Sequence, residues 1–184
     1  MIDVRWYGRG GQGAFTAANL LGRIMSIYKG SYALANPSFG PERRGAPVWC
    51  FTRIDDEKIL DRGQPNMCNY LIVLDETLID KEIFNVLNDD GVAIINTANP
   101  EKHPYIKQKV VNLDAMGLAL KVLGKPITNV AMLGAFAGVS GVFDLQTAGK
   151  AIDDFFAPEL SEKNKNLFKE AYIAVTGGGK NEQA

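Results

Sequence analysis

Residues 4–21, "VRWYGRGGQGAFTAANLL", decide the fold. A run of strand formers stops at Gly8, and the glycines recur as Gly8-x-Gly10-x-x-Gly13. Phe15, Ala18, Leu21 and Ile24 then follow at helical spacing. The order strand, glycine turn, helix is that of a dinucleotide-binding corner. The glycines permit a sharp turn, a close backbone approach and tight packing of helix on strand. The helix start offers unpaired amide N–H groups and the positive end of the helix dipole, which together make an anion site. Such a corner can hold NAD, hold another phosphate-bearing group, or be only a tight turn.

NAD binding carries its own requirement. An acid should end the second strand, about 20 residues past the glycines, to bind the ribose hydroxyls. The second strand here is "SYALAN" (31–36), which runs into Pro37, and no Asp or Glu lies between Asp3 and Glu42. The loop reads better as a site for a different phosphate group, with Arg9 inside it as a source of charge. The next segment, "PSFGPERRGAP" (37–47), holds three prolines and two glycines and is a shaped loop. Its adjacent Arg43 and Arg44 suit phosphate or carboxylate, and a solvated pair or a salt bridge with Glu42 is the plain alternative. Leaving the carboxyl end of the second strand, this loop should lie beside the glycines, where α/β sheets bind ligands.

Further along, "VWCFTRI" (48–54), the apolar run "YLIVLDE" (70–76), "VAIINT" (92–97) and a short stretch near Val110 read as strands. Residues 78–88 read as a helix ending at Asp89-Asp90-Gly91. From Ala115 the pattern is helical, broken at Gly124-Lys125-Pro126 and near Gly141. Strands alternating with helices predict an α/β class: a Rossmann-like, mostly parallel sheet with flanking helices and a helical C-terminal third. Residues 1–176 form one domain and 177–184, "GGGKNEQA", a flexible tail.

Composition narrows the function. The 184 residues are 46% hydrophobic and 22% charged, with a net charge of −1. That balance suits a soluble globular domain and argues against general nucleic-acid binding. No basic-then-apolar leader or uncharged bilayer-length run is present, so a cytoplasmic protein without membrane contact is expected. Two cysteines, Cys50 and Cys68, and one histidine, His103, do not supply the four ligands of an iron–sulfur cluster or a structural zinc. The cysteines read as free thiols in or near strands, and His103 as a surface loop residue. No Ser–His–Asp or Cys–His arrangement can be built, so no catalytic residue is assigned. Trp6, Trp49 and Phe39 read as core or interface aromatics, and Asp75-Glu76 as a helix cap that could also meet a ligand or partner.

"GRGGQGAFTAANLL" (8–21) together with "NPSFGPERRGAPVWCFTRID" (36–55) resembles the gamma subunit of 2-oxoacid:ferredoxin oxidoreductases, the group that includes pyruvate synthase. The likeness extends through "YLIVLDETL", "GVAIINT" and "ITNVAMLGAFA", nearly the whole chain. The resemblance implies one subunit of a complex that oxidatively decarboxylates a 2-oxoacid to an acyl-CoA and passes electrons to ferredoxin. It implies that thiamine diphosphate, magnesium and the 4Fe–4S clusters belong to alpha, beta and delta-type partners. It also implies that this chain packs beside the thiamine-binding domains and helps form the coenzyme A site. Gly8, Arg9, Gly10, Gly11, Gln12, Gly13 and Thr16 are then the candidate coenzyme A residues. Arg43 and Arg44 are candidates for phosphate or for partner-subunit contacts. A free-standing nucleotide-binding or regulatory α/β module stands as the alternative, and an NAD dehydrogenase as a third reading opposed by the missing acid.

Overall fold

A computed structural model describes residues 1–37, 44–80, 82–100 and 106–177. Six strands make one sheet: β1 (Ile2–Arg9), β2 (Tyr32–Pro37), β3 (Pro47–Asp55), β4 (Cys68–Val73), β5 (Leu87–Asn96) and β6 (Lys109–Leu113), in the order β2-β3-β1-β4-β5-β6. β1, β4, β5 and β6 pair in parallel, and β3 runs antiparallel to both β1 and β2. Five of the six strands therefore share one direction, as the alternating pattern predicts. The order departs from a dinucleotide-binding sheet in one way. β3 is inserted between β1 and β2, so the second strand lies at the edge and not beside the glycine corner.

Period-two alternation gives each strand two faces. Val4 and Trp6 of β1, Cys50 and Ile54 of β3, Ile72 of β4 and Ile94 of β5 face the main core. There they meet α1 (Ala14–Arg23), α2 (Ala115–Leu123), α3 (Asn129–Ser140), α4 (Leu145–Phe155) and α5 (Pro158–Gly177). α3 is buried from Asn129 to Ala137. It packs so closely on α5 that a Cβ on Gly134 would lie 2.4 Å from the Phe168 carbonyl oxygen. Trp6 is fully buried, and its indole N–H donates to Thr52 Oγ1 at 3.2 Å. Thr52 in turn donates to the Ala18 carbonyl at 3.0 Å, fixing α1 on the sheet.

The opposite face is thinner. Leu71, Val73, Ala93 and Ile95 pack under a strap between β4 and β5 that carries Ile79, Ile83, Phe84 and Val86. The helix expected over 78–88 does not form. The strap holds two single 3₁₀ turns, Glu76–Leu78 and Ile83–Val86, and β5 starts at Leu87. Asp80 Oδ1 accepts from both Glu82 N and Ile83 N at 2.9 Å, and this local cap starts the second turn. Asp89-Asp90-Gly91 lies inside β5, where the register with β4 shifts between Cys68 and Tyr70. A run this short cannot separate a helix from a turn plus a buried strand by period alone. α5 runs through Gly177, the first residue of the segment read as a tail; residues 178–184 lie outside the described residues.

Candidate functional site

Beyond β1, the glycine loop and the segment that enters β3 are joined. Gly10 N donates to the Ala46 carbonyl at 2.8 Å, and Gly45 N donates to the Gly10 carbonyl at 3.0 Å. Residues 44–46 thus lie beside the glycines because β3, which they enter, pairs with β1; residues 38–43 lie outside the described residues. Gly11 (φ +96°) and Gly13 (φ +81°) adopt the left-handed conformation. At Gly13 space also demands glycine, since a Cβ would lie 2.5 Å from Asn129 Nδ2.

That approach brings two helix starts together. Gly13 caps α1, and Asn129 is the first residue of α3. Neither cap residue, Gly13 or Thr128, closes its helix with a side-chain hydrogen bond, and neither first turn carries an acid. α2 and α4 differ: Asp114 accepts from Gly117 N at 2.7 Å and Asp144 from Thr147 N at 2.8 Å. At α3 the Asn129 side chain itself accepts from Val130 N at 3.0 Å and the helix start is buried, so of the two it is the α1 start whose first-turn amides take no side-chain acceptor. Thr16 stands half-buried in the first turn of α1.

Arg9 and Gln12 shape the loop from within. Gln12 Oε1 accepts from Arg9 N at 2.7 Å, and Gln12 Nε2 donates to Asp75 Oδ2 at 2.9 Å. Arg9 Nε donates to the same oxygen at 3.0 Å, and its terminal nitrogens donate to the Gly45 carbonyl at 3.1 Å and to Thr77 Oγ1 at 2.9 Å. Gly8 leaves room for this, as a Cβ there would crowd Gln12 Oε1 at 3.1 Å and Leu74 Cβ at 3.2 Å. Asp75 Oδ1 accepts from Thr77 N and Thr77 Oγ1 at 3.0 and 2.6 Å. Burial pushes the Asp75 carboxyl up. The bonds from Thr77 and Gln12 and the Arg9 charge outweigh that, and hold it below the ordinary carboxylate value.

Of the residues singled out in the sequence, the structure brings Gly8, Arg9, Gly10, Gly11, Gln12, Gly13 and Thr16 to one rim. Arg44 is exposed beside them, its Cγ 3.9 Å from where a Gly11 Cβ would stand. Arg43, Phe39 and His103 lie outside the described residues. Sequence reasoning missed Asn129, Asn96 and the full part of Asp75. Asn96 Nδ2 donates to the Leu74 carbonyl at 2.8 Å and its Oδ1 accepts from Met116 N at 3.2 Å, tying β4, β5 and α2 together. One signal was available for Asp75: it follows the buried run of a central strand, at the carboxyl end where α/β sheets build sites.

The thiols are not placed for ligation. Cys50 lies in β3 and Cys68 in β4, both free and buried, and burial pushes each up to about 12. A buried neutral thiol is a poor metal ligand. Among the described residues no three His, Cys, Asp or Glu side chains gather around a common point. Among them, too, no helix is long and apolar enough to cross a membrane.

Comparison with known proteins agrees with the resemblance. The family model for pyruvate ferredoxin/flavodoxin oxidoreductase matches residues 3–174. The chain belongs to this family. The pyruvate synthase subunit PorC of Methanocaldococcus jannaschii is 47% identical over 173 residues, covering 94% of this chain and 96% of that one. The common gamma subunit of the pyruvate/ketoisovalerate oxidoreductases of Pyrococcus furiosus is 43% identical, again across 94% and 96% of the two chains. A crystal structure of pyruvate oxidoreductase subunit PORC from Thermotoga maritima superposes with a TM-score of 0.82 at 32% identity, covering 93% and 94% of the two chains. Within the pyruvate ferredoxin/flavodoxin oxidoreductase family this is a gamma-type chain, a subunit of an oxidoreductase complex.

Proposed function

We propose that this gamma-type subunit serves a thiamine diphosphate-dependent 2-oxoacid:ferredoxin oxidoreductase and supplies part of its coenzyme A site at the glycine loop. The reaction is the oxidative decarboxylation of a 2-oxoacid to an acyl-CoA, with electrons delivered to ferredoxin. The observation that supports the assignment is the uncapped, acid-free start of α1 at Gly13, with Asn129 at the start of α3 packed against it. The first-turn amides of α1 suit a phosphate group, and Arg44 stands at the exposed side of the same loop. Arg9 is held by Asp75, so the backbone carries the binding and Arg9 and Gln12 set the loop's shape. The donor set of this chain does not suit a cluster, with two neutral buried thiols on separate strands. The 4Fe–4S clusters, and with them thiamine diphosphate and magnesium, are assigned to alpha, beta and delta-type partners, which also select the 2-oxoacid.

The test is affinity purification of the chain from its host. Co-purifying material is assayed for thiamine diphosphate, iron and viologen reduction with pyruvate and other 2-oxoacids, with and without coenzyme A. Coenzyme A-dependent reduction with a 2-oxoacid supports the assignment. A lone chain without thiamine, iron or turnover overturns it.

A further inference from the structure

The parallel strands β1 and β4 part at their carboxyl ends. Leu74 N still donates to the Tyr7 carbonyl at 2.8 Å. Beyond that bond β1 turns through the glycine loop into α1 on the helix-covered face, and β4 runs into the strap on the other face. Open α/β sheets bind ligands where neighbouring parallel strands send their connections to opposite faces. Here the base of that crevice is built from Arg9, Gln12 and Asp75, and Asp75 is the one of the three that lies outside the glycine loop.

Asp75 divides its two oxygens between two tasks. Oδ1 accepts from Thr77 N and Thr77 Oγ1 and closes the first 3₁₀ turn of the strap. Oδ2 accepts from Gln12 Nε2 and Arg9 Nε, both of the glycine loop. A carboxylate has about four lone-pair sites, and these four donors take them up within the chain. The Asp75 side chain is 15% exposed, so little of it faces water. The Arg9 guanidinium reaches on to the Gly45 carbonyl and Thr77 Oγ1. One ion pair therefore ties three segments together: the glycine loop, the residues entering β3 and the start of the strap. Gln12 carries the tie into the loop backbone. Its Oε1 accepts from Arg9 N at 2.7 Å, and its own N donates back to the Arg9 carbonyl at 3.0 Å.

We propose that Asp75 is a positioning residue for coenzyme A, which it does not touch: through Gln12 and Arg9 it holds the glycine loop in the shape that presents the first-turn amides of α1. The inference rests on the placement of coenzyme A at this loop, and it adds a residue beyond the loop that sets the affinity. The opposite arrangement makes Asp75 a counter-ion that the coenzyme displaces from Arg9. The bonds favour positioning. Arg9 is fixed at Nε and at both terminal nitrogens by acceptors on two other segments. Displacing Asp75 would also release Gln12 and loosen the turn over residues 9–12.

The test is steady-state kinetics of the assembled complex carrying Asp75→Asn, with coenzyme A and the 2-oxoacid varied in turn. An asparagine can keep one oxygen on Thr77, and its amide nitrogen then faces two donors, Gln12 Nε2 and Arg9 Nε. The turn survives while the loop loses its holder. KM for coenzyme A rises by about tenfold, and kcat and the KM for the 2-oxoacid stay unchanged. Arg9→Lys keeps the charge without the fork and raises the same KM. The double variant is no worse than the worse single one, because the two residues act as one unit. A merely structural role lowers kcat or the yield of complex and leaves KM for coenzyme A alone, and that result overturns the proposal. A fall in this KM with Asp75→Asn overturns it in favour of the displaced counter-ion. Additive effects in the double variant overturn it too, since Arg9 then acts on the coenzyme independently of Asp75. Where Asp75→Asn does not assemble, Arg9→Lys decides, and an unchanged KM for coenzyme A refutes the proposal. Thr16→Asp separates this claim from the one beneath it. If Thr16→Asp raises KM for coenzyme A and Asp75→Asn does not, the positioning role alone fails; if neither raises it, the placement of the coenzyme fails as well.

Discussion

Asp75 joins four groups, two from the glycine loop and two from Thr77, so its loss should be felt locally and as a function of pH. Asp75→Asn leaves Arg9 without its counter-charge and should cost about 1–3 kcal/mol in urea unfolding. A carboxyl held below its ordinary value stabilises the fold fully above its unfolded-state pKa, about 3.9. That stability is lost as pH falls through the lower folded-state value. The wild type should therefore lose more stability on the acid limb than Asp75→Asn, and equal slopes in the two proteins would contradict the arrangement. Gly13→Ala combines a forbidden φ with a Cβ 2.5 Å from Asn129 Nδ2. It should destabilise the chain by about 1–3 kcal/mol, even though alanine is elsewhere the better helix residue. The glycine spacing made Gly13 legible in the sequence. Asn129 was not legible, because it arrives from the far end of the chain and no local pattern reports that approach.

The elements show the same division. Strands were readable from their apolar runs, and the helical C-terminal third from its spacing and its glycine breaks at Gly124 and Gly141. The strap was misread because Leu78, Ile79, Ile83 and Phe84 repeat at near-helical intervals, and nothing in that count reveals a cap at Asp80. The insertion of β3 was also hidden, since strand order depends on long-range pairing. Two expectations follow. Amides of the two 3₁₀ turns should exchange faster than those of β4 and β5, which hydrogen-exchange mass spectrometry would resolve. Gly134→Ala should destabilise, although helix propensity alone favours alanine by about 1 kcal/mol. The new Cβ would meet the Phe168 carbonyl at 2.4 Å, and separating α3 from α5 should cost about 1–3 kcal/mol in urea unfolding.

At the scale of the whole molecule, the glycine loop after β1 and Asp75 after β4 meet at the carboxyl ends of neighbouring parallel strands, the rim proposed to hold coenzyme A. The resemblance made the family readable from "GRGGQG" and "SFGPERRGAP". The internal use of Arg9 and Gln12 was not readable, because a charged residue in a glycine loop looks the same whether it faces a ligand or an aspartate. The most direct measurement is steady-state kinetics of the assembled complex carrying Thr16→Asp, with coenzyme A and the 2-oxoacid varied in turn. An acid in the first turn of α1 favours the helix, so folding and assembly should be kept. A phosphate bound at the same helix start would be repelled, and KM for coenzyme A should rise by about tenfold or more. Both kcat and the KM for the 2-oxoacid should stay unchanged. An unaltered KM for coenzyme A in that complex would contradict the placement of coenzyme A at the glycine loop.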